Sequence, residues 1–114
     1  MALNYNLAKV YLLSDNDPEF VNQILSLFVT EVPSDMQQIK IGIKTKDYKL
    51  AYSYAHKIKP SLDLLGMNVA FEEIFQIEAW AKNGGKRKEI DDTFDSLESK
   101  IEKAVKEISK NFNF

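Results

Sequence analysis

Apolar residues recur along this chain at steps of three and four, the period of a helix that buries one face. The longest series is Val21, Leu25, Phe28, Val32, Met36, Ile39 and Ile43. It passes Pro33 without losing phase, so the spacing predicts one long helix, bent where Pro33 removes the bond to the Val29 carbonyl. Asp17-Pro18-Glu19 reads as its start: Asp17 is an N-cap, Pro18 sits where its missing N–H is harmless, and Glu19 suits the helix dipole. The stripe fades at Gly42 and Lys44, and Asp47 is placed to cap a second helix that stops at Gly66.

In that second helix, Ala51, Ala55, Ile58, Leu62 and Leu65 fall on one side. His56 lies roughly 140° from the centre of this stripe at about 100° per residue, together with Tyr52, Ser53, Lys59, Pro60 and Asp63. Those six side chains are expected to face water. Asn68 can cap a third long segment, in which Phe71, Ile74, Phe75, Ile77, Trp80 and Ala81 fill more than half the circumference, which predicts the most enclosed helix. Asn83-Gly84-Gly85 breaks the chain. A last helix over residues 86–110 carries Ile90, Phe94, Leu97, Ile101, Ala104 and Ile108, with Glu89, Asp91 and Asp92 early and Lys103, Lys106 and Lys110 late, as the macrodipole favours. Residues 111–114 are expected to fray.

Ahead of these, residues 5–13 form a short amphipathic piece with Leu7, Val10 and Tyr11 on a shared side, ended by Ser14-Asp15-Asn16. It is too short to stand alone and is placed across one end of the domain. No alternating strand pattern competes. The fold class is therefore all-α: an antiparallel up-down four-helix bundle with a short additional N-terminal helix, in which residues 1–16 are the N-terminal helix and connection, 17–110 the bundle and 111–114 the tail.

Composition narrows what such a bundle could do. At 114 residues the chain fits one domain with one core. A net charge of -2 argues against nucleic-acid binding, and Lys86-Arg87-Lys88 reads as a solvated helix start. No stretch is long and apolar enough to span a membrane, and no secretory leader pattern opens the chain, so a soluble cytoplasmic protein is expected. With no cysteine and one histidine, neither thiolate chemistry nor a zinc site is plausible. There is no Glu-x-x-His pair for a di-iron centre, no Gly-x-x-x-x-Gly-Lys loop and no Gly-x-Ser-x-Gly turn. His56 remains as the candidate reactive group.

A neutral imidazole is a competent nucleophile, and histidine is the side chain that titrates near neutrality. Lys59, one turn on, could meet phosphate oxygens placed on the ring. Pro60 deprives the His56 carbonyl of its helical donor and should bend the helix there. Each residue also has an ordinary reading: a polar surface histidine, a solvated lysine and a tolerated helix proline.

Ala55-His56-Lys57-Ile58-Lys59-Pro60-Ser61, followed by Leu65-Gly66-Met67, resembles the signature of histidine-containing phosphotransfer (HPt) domains, commonly written A-H-x-L-K-G-S with L-G-A completing it. The family's D-x-E-F-like start of a long helix is similar to Asp17 to Phe20, and the family's helical bundle would occupy the whole chain. The resemblance implies that His56 accepts a phosphoryl group from a receiver-domain aspartate and passes it to another receiver, with Lys59 steadying the group. It implies response-regulator receivers and a hybrid sensor histidine kinase as partners. The chain would be a carrier rather than an enzyme, binding no cofactor itself, with the divalent metal (Mg) held by the receiver. Tyr52, Ser53, Pro60 and Asp63 are docking candidates, taken from the helical wheel. The departure is Pro60, where the family most often has glycine, so the docking geometry is expected to differ. A chain of this length beginning with Met is expected to be a free-standing monomeric carrier. Two alternatives stand beside this reading: an HPt-like adaptor that binds without being phosphorylated, and a helical domain that dimerises through its last helix.

Overall fold

A computed structural model of the protein describes residues 4–114, so residues 1–3 of the N-terminal segment lie outside the described residues. Five α-helices follow one another: Ala8–Leu13 (α1), Pro18–Thr45 (α2), Tyr48–Leu64 (α3), Asn68–Asn83 (α4) and Asp91–Phe112 (α5), with a 3-10 turn at Arg87–Glu89. Among the described residues there is no strand, and no helix is long and apolar enough to cross a membrane. Each of the four long helices packs on the one before it, and α5 closes on α2. Because the connections are short, neighbours run antiparallel, which makes the all-α up-down bundle.

The caps explain where α2 and α3 begin. The Asp17 carboxylate accepts from the Glu19 N–H at 3.0 Å ahead of Pro18, and Asp47 accepts from the Leu50 N–H at 3.1 Å. Between them Lys46 takes a left-handed conformation, so the chain reverses with only Lys46 and Asp47 between the two helices. Gly42 faces this reversal: a Cβ there would stand 2.8 Å from the Ala51 nitrogen, which is why the stripe carries no side chain at that point. All seven residues of the α2 stripe are buried, as are Ala51, Ala55, Ile58 and Leu62 on α3 and Leu65 just past its end. Each fully buried aliphatic side chain contributes about 1.5–3 kcal/mol, so these two stripes hold the bundle together far more than any surface pair can. The helix continues through Pro60 to Leu64, and the Pro60 ring is exposed.

At the far end of α3, Gly66 adopts φ +64 and directs the chain into α4. The Asn6 N–H donates to the Leu65 carbonyl at 2.7 Å, and a Cβ on Gly66 would meet the Asn6 Cβ at 2.8 Å. The N-terminal segment thus lies against this end of the bundle, and Tyr5, not Tyr11, supplies its buried aromatic ring beside Val10. The helix proper begins only at Ala8, so the helical phase does not extend back to Tyr5 and the wheel misplaced Tyr11, which is exposed.

Three other expectations change. Asn68 is the first residue of α4 rather than its cap; Met67 holds the cap position, with no side-chain bond. Phe75, placed by the sequence among the apolar residues of α4, is exposed, because α4 packs on α3 and α5 and leaves an outer face free. The last helix starts at Asp91 after the 3-10 turn, where the Lys86 N–H donates to Glu89 Oε1 at 2.9 Å, and it continues through Phe112 instead of fraying at Asn111. The Asn111 side-chain amide donates to the Tyr5 hydroxyl at 2.8 Å and Phe112 is half-buried, which ties this end to the N-terminal segment.

Candidate functional site

α3 carries His56 on the side away from Ala55 and Ile58, and the imidazole is 63% exposed, in line with the helical phase. It is not free, however. Its Nδ1 stands 2.7 Å from Glu78 Oε2 on α4, and Lys59 Nζ donates to Glu78 Oε1 at 2.8 Å. One carboxylate therefore gathers the two residues that the sequence singles out. Lys59 is mostly covered, 24% exposed, and its ammonium lies 5.5 Å from the centre of the Phe75 ring.

Glu78 is the residue that sequence reasoning missed. It is buried, at 7% exposure, on the core-facing side of α4 between Ile74 and Ala81. Burial pushes its carboxyl upward, but the hydrogen bonds from Lys59 and His56, with the charge of Lys59, outweigh burial and hold it below the usual carboxylate range. It is thus ionised near neutrality. An ionised carboxylate only accepts hydrogen bonds, so the His56 nitrogen facing it must be the N–H. Nδ1 carries the proton in the neutral ring, and Nε2 keeps its lone pair on the exposed edge.

A second buried acid flanks the same helix. Asp35 on α2 is 5% exposed and accepts from Lys57 Nζ at 3.0 Å. The hydrogen bond to Asp35 is the main reason the Lys57 ammonium is held above its ordinary range. Consecutive residues of α3 thus anchor to opposite neighbours, Lys57 to α2 and His56 to α4.

Of the docking candidates, Tyr52 stacks on the His56 ring, with centroids 5.8 Å apart and planes within 8°. It also lines a 310 Å³ cleft with Phe75, Glu78, Ala79, Lys82 and Asn83. Ser53 and Pro60 are exposed. Asp63 is held by Lys9 of α1 at 2.9 Å, both partners being more than half exposed. Among the described residues no three His, Cys, Asp or Glu side chains cluster as metal ligands would.

No family model matches the chain, and no curated protein does. Among solved structures, the chain is similar to the HPT domain of an Hpt sensor hybrid histidine kinase from Shewanella. The two share 13% sequence identity and a TM-score of 0.81 over 96% of this chain and 94% of that one. With its four long helices, its short leading helix and nearly the full length of both chains in register, the protein has the fold of an HPt domain.

Proposed function

We propose that the protein is a histidine phosphotransfer domain in which His56 Nε2 accepts a phosphoryl group from the aspartyl phosphate of a receiver domain and returns it to the aspartate of another. The observation that carries this reading is the bond between His56 Nδ1 and Glu78, which leaves a single nucleophilic nitrogen on the exposed edge of the ring. In the forward step the Nε2 lone pair forms the N–P bond, the P–O bond to the aspartate breaks, and the aspartate leaves as a carboxylate. While Nδ1 keeps its proton, the phosphorylated ring is cationic, and the Glu78 carboxylate faces that charge. Lys59 lies one turn from the ring, bonded to the same carboxylate, and in this reading supplies the cation for the phosphoryl oxygens. The acidic pocket and its Mg ion belong to the receiver in this reading, so the chain is a carrier and not a catalyst, and it works as a monomer in the cytoplasm.

The resemblance of Ala55 to Ser61 to the HPt signature and the HPt fold support the same reading, as does the Shewanella domain's place in a hybrid kinase. Ser53, Pro60 and Asp63 are exposed on the same helix as the histidine and are docking residues in this account. The test is incubation with a receiver carrying labelled aspartyl phosphate. Transfer of label to the wild type and its absence in His56→Gln are expected, whereas receiver binding without transfer, unaffected by His56→Gln, would favour a purely adaptor role.

A further inference from the structure

We infer that Tyr52 is a positioning residue for the phosphoryl acceptor, fixing the plane of the His56 imidazole, rather than a residue that only meets the partner; this rests on the function proposed above. The helical wheel places Tyr52 and His56 four residues apart on an outward-facing stripe, which by itself suggests two independent contact residues. The structure gives them a relation. The two rings are offset, within 8° of parallel and 5.8 Å apart, inside the range of favourable aromatic stacking. Tyr52 is itself partly covered, at 37% exposure, beside Phe75 in the cleft that ends on Glu78.

The stack and the Glu78 bond constrain different motions. A half-turn of the imidazole about its outer side-chain bond keeps the ring in plane and so keeps the stack, but it would put a C–H against the carboxylate; Glu78 excludes that state. Smaller rotations let Nδ1–H follow the carboxylate for some way, but they break the stack; Tyr52 excludes those. Only with both in place does the Nε2 lone pair have one direction, and alignment of the attacking orbital is what an in-line transfer needs. The hydroxyl of Tyr52 plays no part in this, so phenylalanine should serve equally.

The experiment compares wild type, Tyr52→Ala, Tyr52→Phe and His56→Gln. Transfer from a phosphorylated receiver is followed over a range of receiver concentrations, and the His56 Nδ1–H proton is observed by NMR in the unphosphorylated proteins. The expected result for Tyr52→Ala is a maximal transfer rate lower by roughly 2- to 10-fold at an unchanged half-saturating receiver concentration, with faster exchange of Nδ1–H. Tyr52→Phe should match the wild type in both. A Tyr52→Ala effect confined to the half-saturating concentration, or wild-type values for both rate and exchange, would overturn the inference. If the wild type accepts no phosphoryl group while Nδ1–H exchange still quickens in Tyr52→Ala, the phosphotransfer reading fails and the positioning of the ring stands.

Discussion

His56 and Glu78 meet across the α3–α4 interface at 2.7 Å, the one largely exposed and the other buried, and Lys59 occupies the second oxygen of the same carboxylate. A buried carboxylate of this kind is held by the ammonium of Lys59 and by the hydrogen bond from the His56 ring. Glu78→Gln keeps an acceptor for Nδ1–H but surrenders the ionic partner of Lys59; Glu78→Leu removes both. The expected order of transfer rates is wild type, then Glu78→Gln, then Glu78→Leu. Because His56 and Lys59 can recover hydration, the loss of stability should stay near 1–2 kcal/mol in urea titrations.

The acid limb of stability follows from the same residue. Glu78 ionises more readily in the folded state than in the unfolded chain, so on acidification the unfolded chain takes the proton first. Its stabilising contribution is present above the ordinary glutamate value of about 4.3 and is lost as pH falls through the lower folded-state value. Wild type and Glu78→Gln should therefore differ in unfolding free energy at neutral pH and converge below about pH 4. Parallel curves across that range would show that the carboxylate is not preferentially ionised in the fold.

On the other flank of α3 the two partners are unequal: Asp35 is buried and Lys57 is half exposed. Lys57→Ala leaves a buried carboxylate without its cation and should lower stability. Asp35→Leu returns Lys57 to water and fills the site with apolar volume, so it should be near neutral. Chemical denaturation of the two variants decides this, and a larger loss in Asp35→Leu than in Lys57→Ala would contradict it.

Gly66 matches the glycine of the HPt signature, but its structural duty is to turn the chain. It combines φ +64 with an approach to Asn6 that a Cβ would obstruct. Gly66→Ala should lose about 1–3 kcal/mol and loosen the N-terminal segment, seen as faster amide exchange at Asn6, whose N–H is bonded to Leu65. His56→Gln, at an exposed position, should shift stability by less than about 1 kcal/mol, which makes it a sound control for transfer assays.

The bundle was legible because its helices are local objects. Seven apolar residues at steps of three and four placed the buried face of α2, and Asp17 and Asp47 marked two starts through bonds that span no more than three residues. What escaped was what one helix offers another. A wheel places His56 and Lys59 on the surface of α3 but cannot say that Glu78, 22 residues beyond His56, rises from α4 to meet them. A signal was nonetheless available: Ile74, Glu78 and Ala81 follow steps of four and three, and a carboxylate on an apolar stripe needs a cation. Asp35, between Val32 and Ile39 at steps of three and four, has the same form. Phe75 shows the reverse, an aromatic ring left outside because no helix covers that part of α4.

Phosphorylation of His56 is expected at Nε2, the nitrogen that Glu78 leaves free. The most direct test is NMR of protein labelled with 15N in histidine, after phosphorylation by a receiver, reading the coupling between phosphorus and each ring nitrogen. Coupling to Nε2 is expected, with Nδ1 still protonated and facing Glu78. Phosphorus on Nδ1, or a phosphoryl group that persists in His56→Gln, would contradict it.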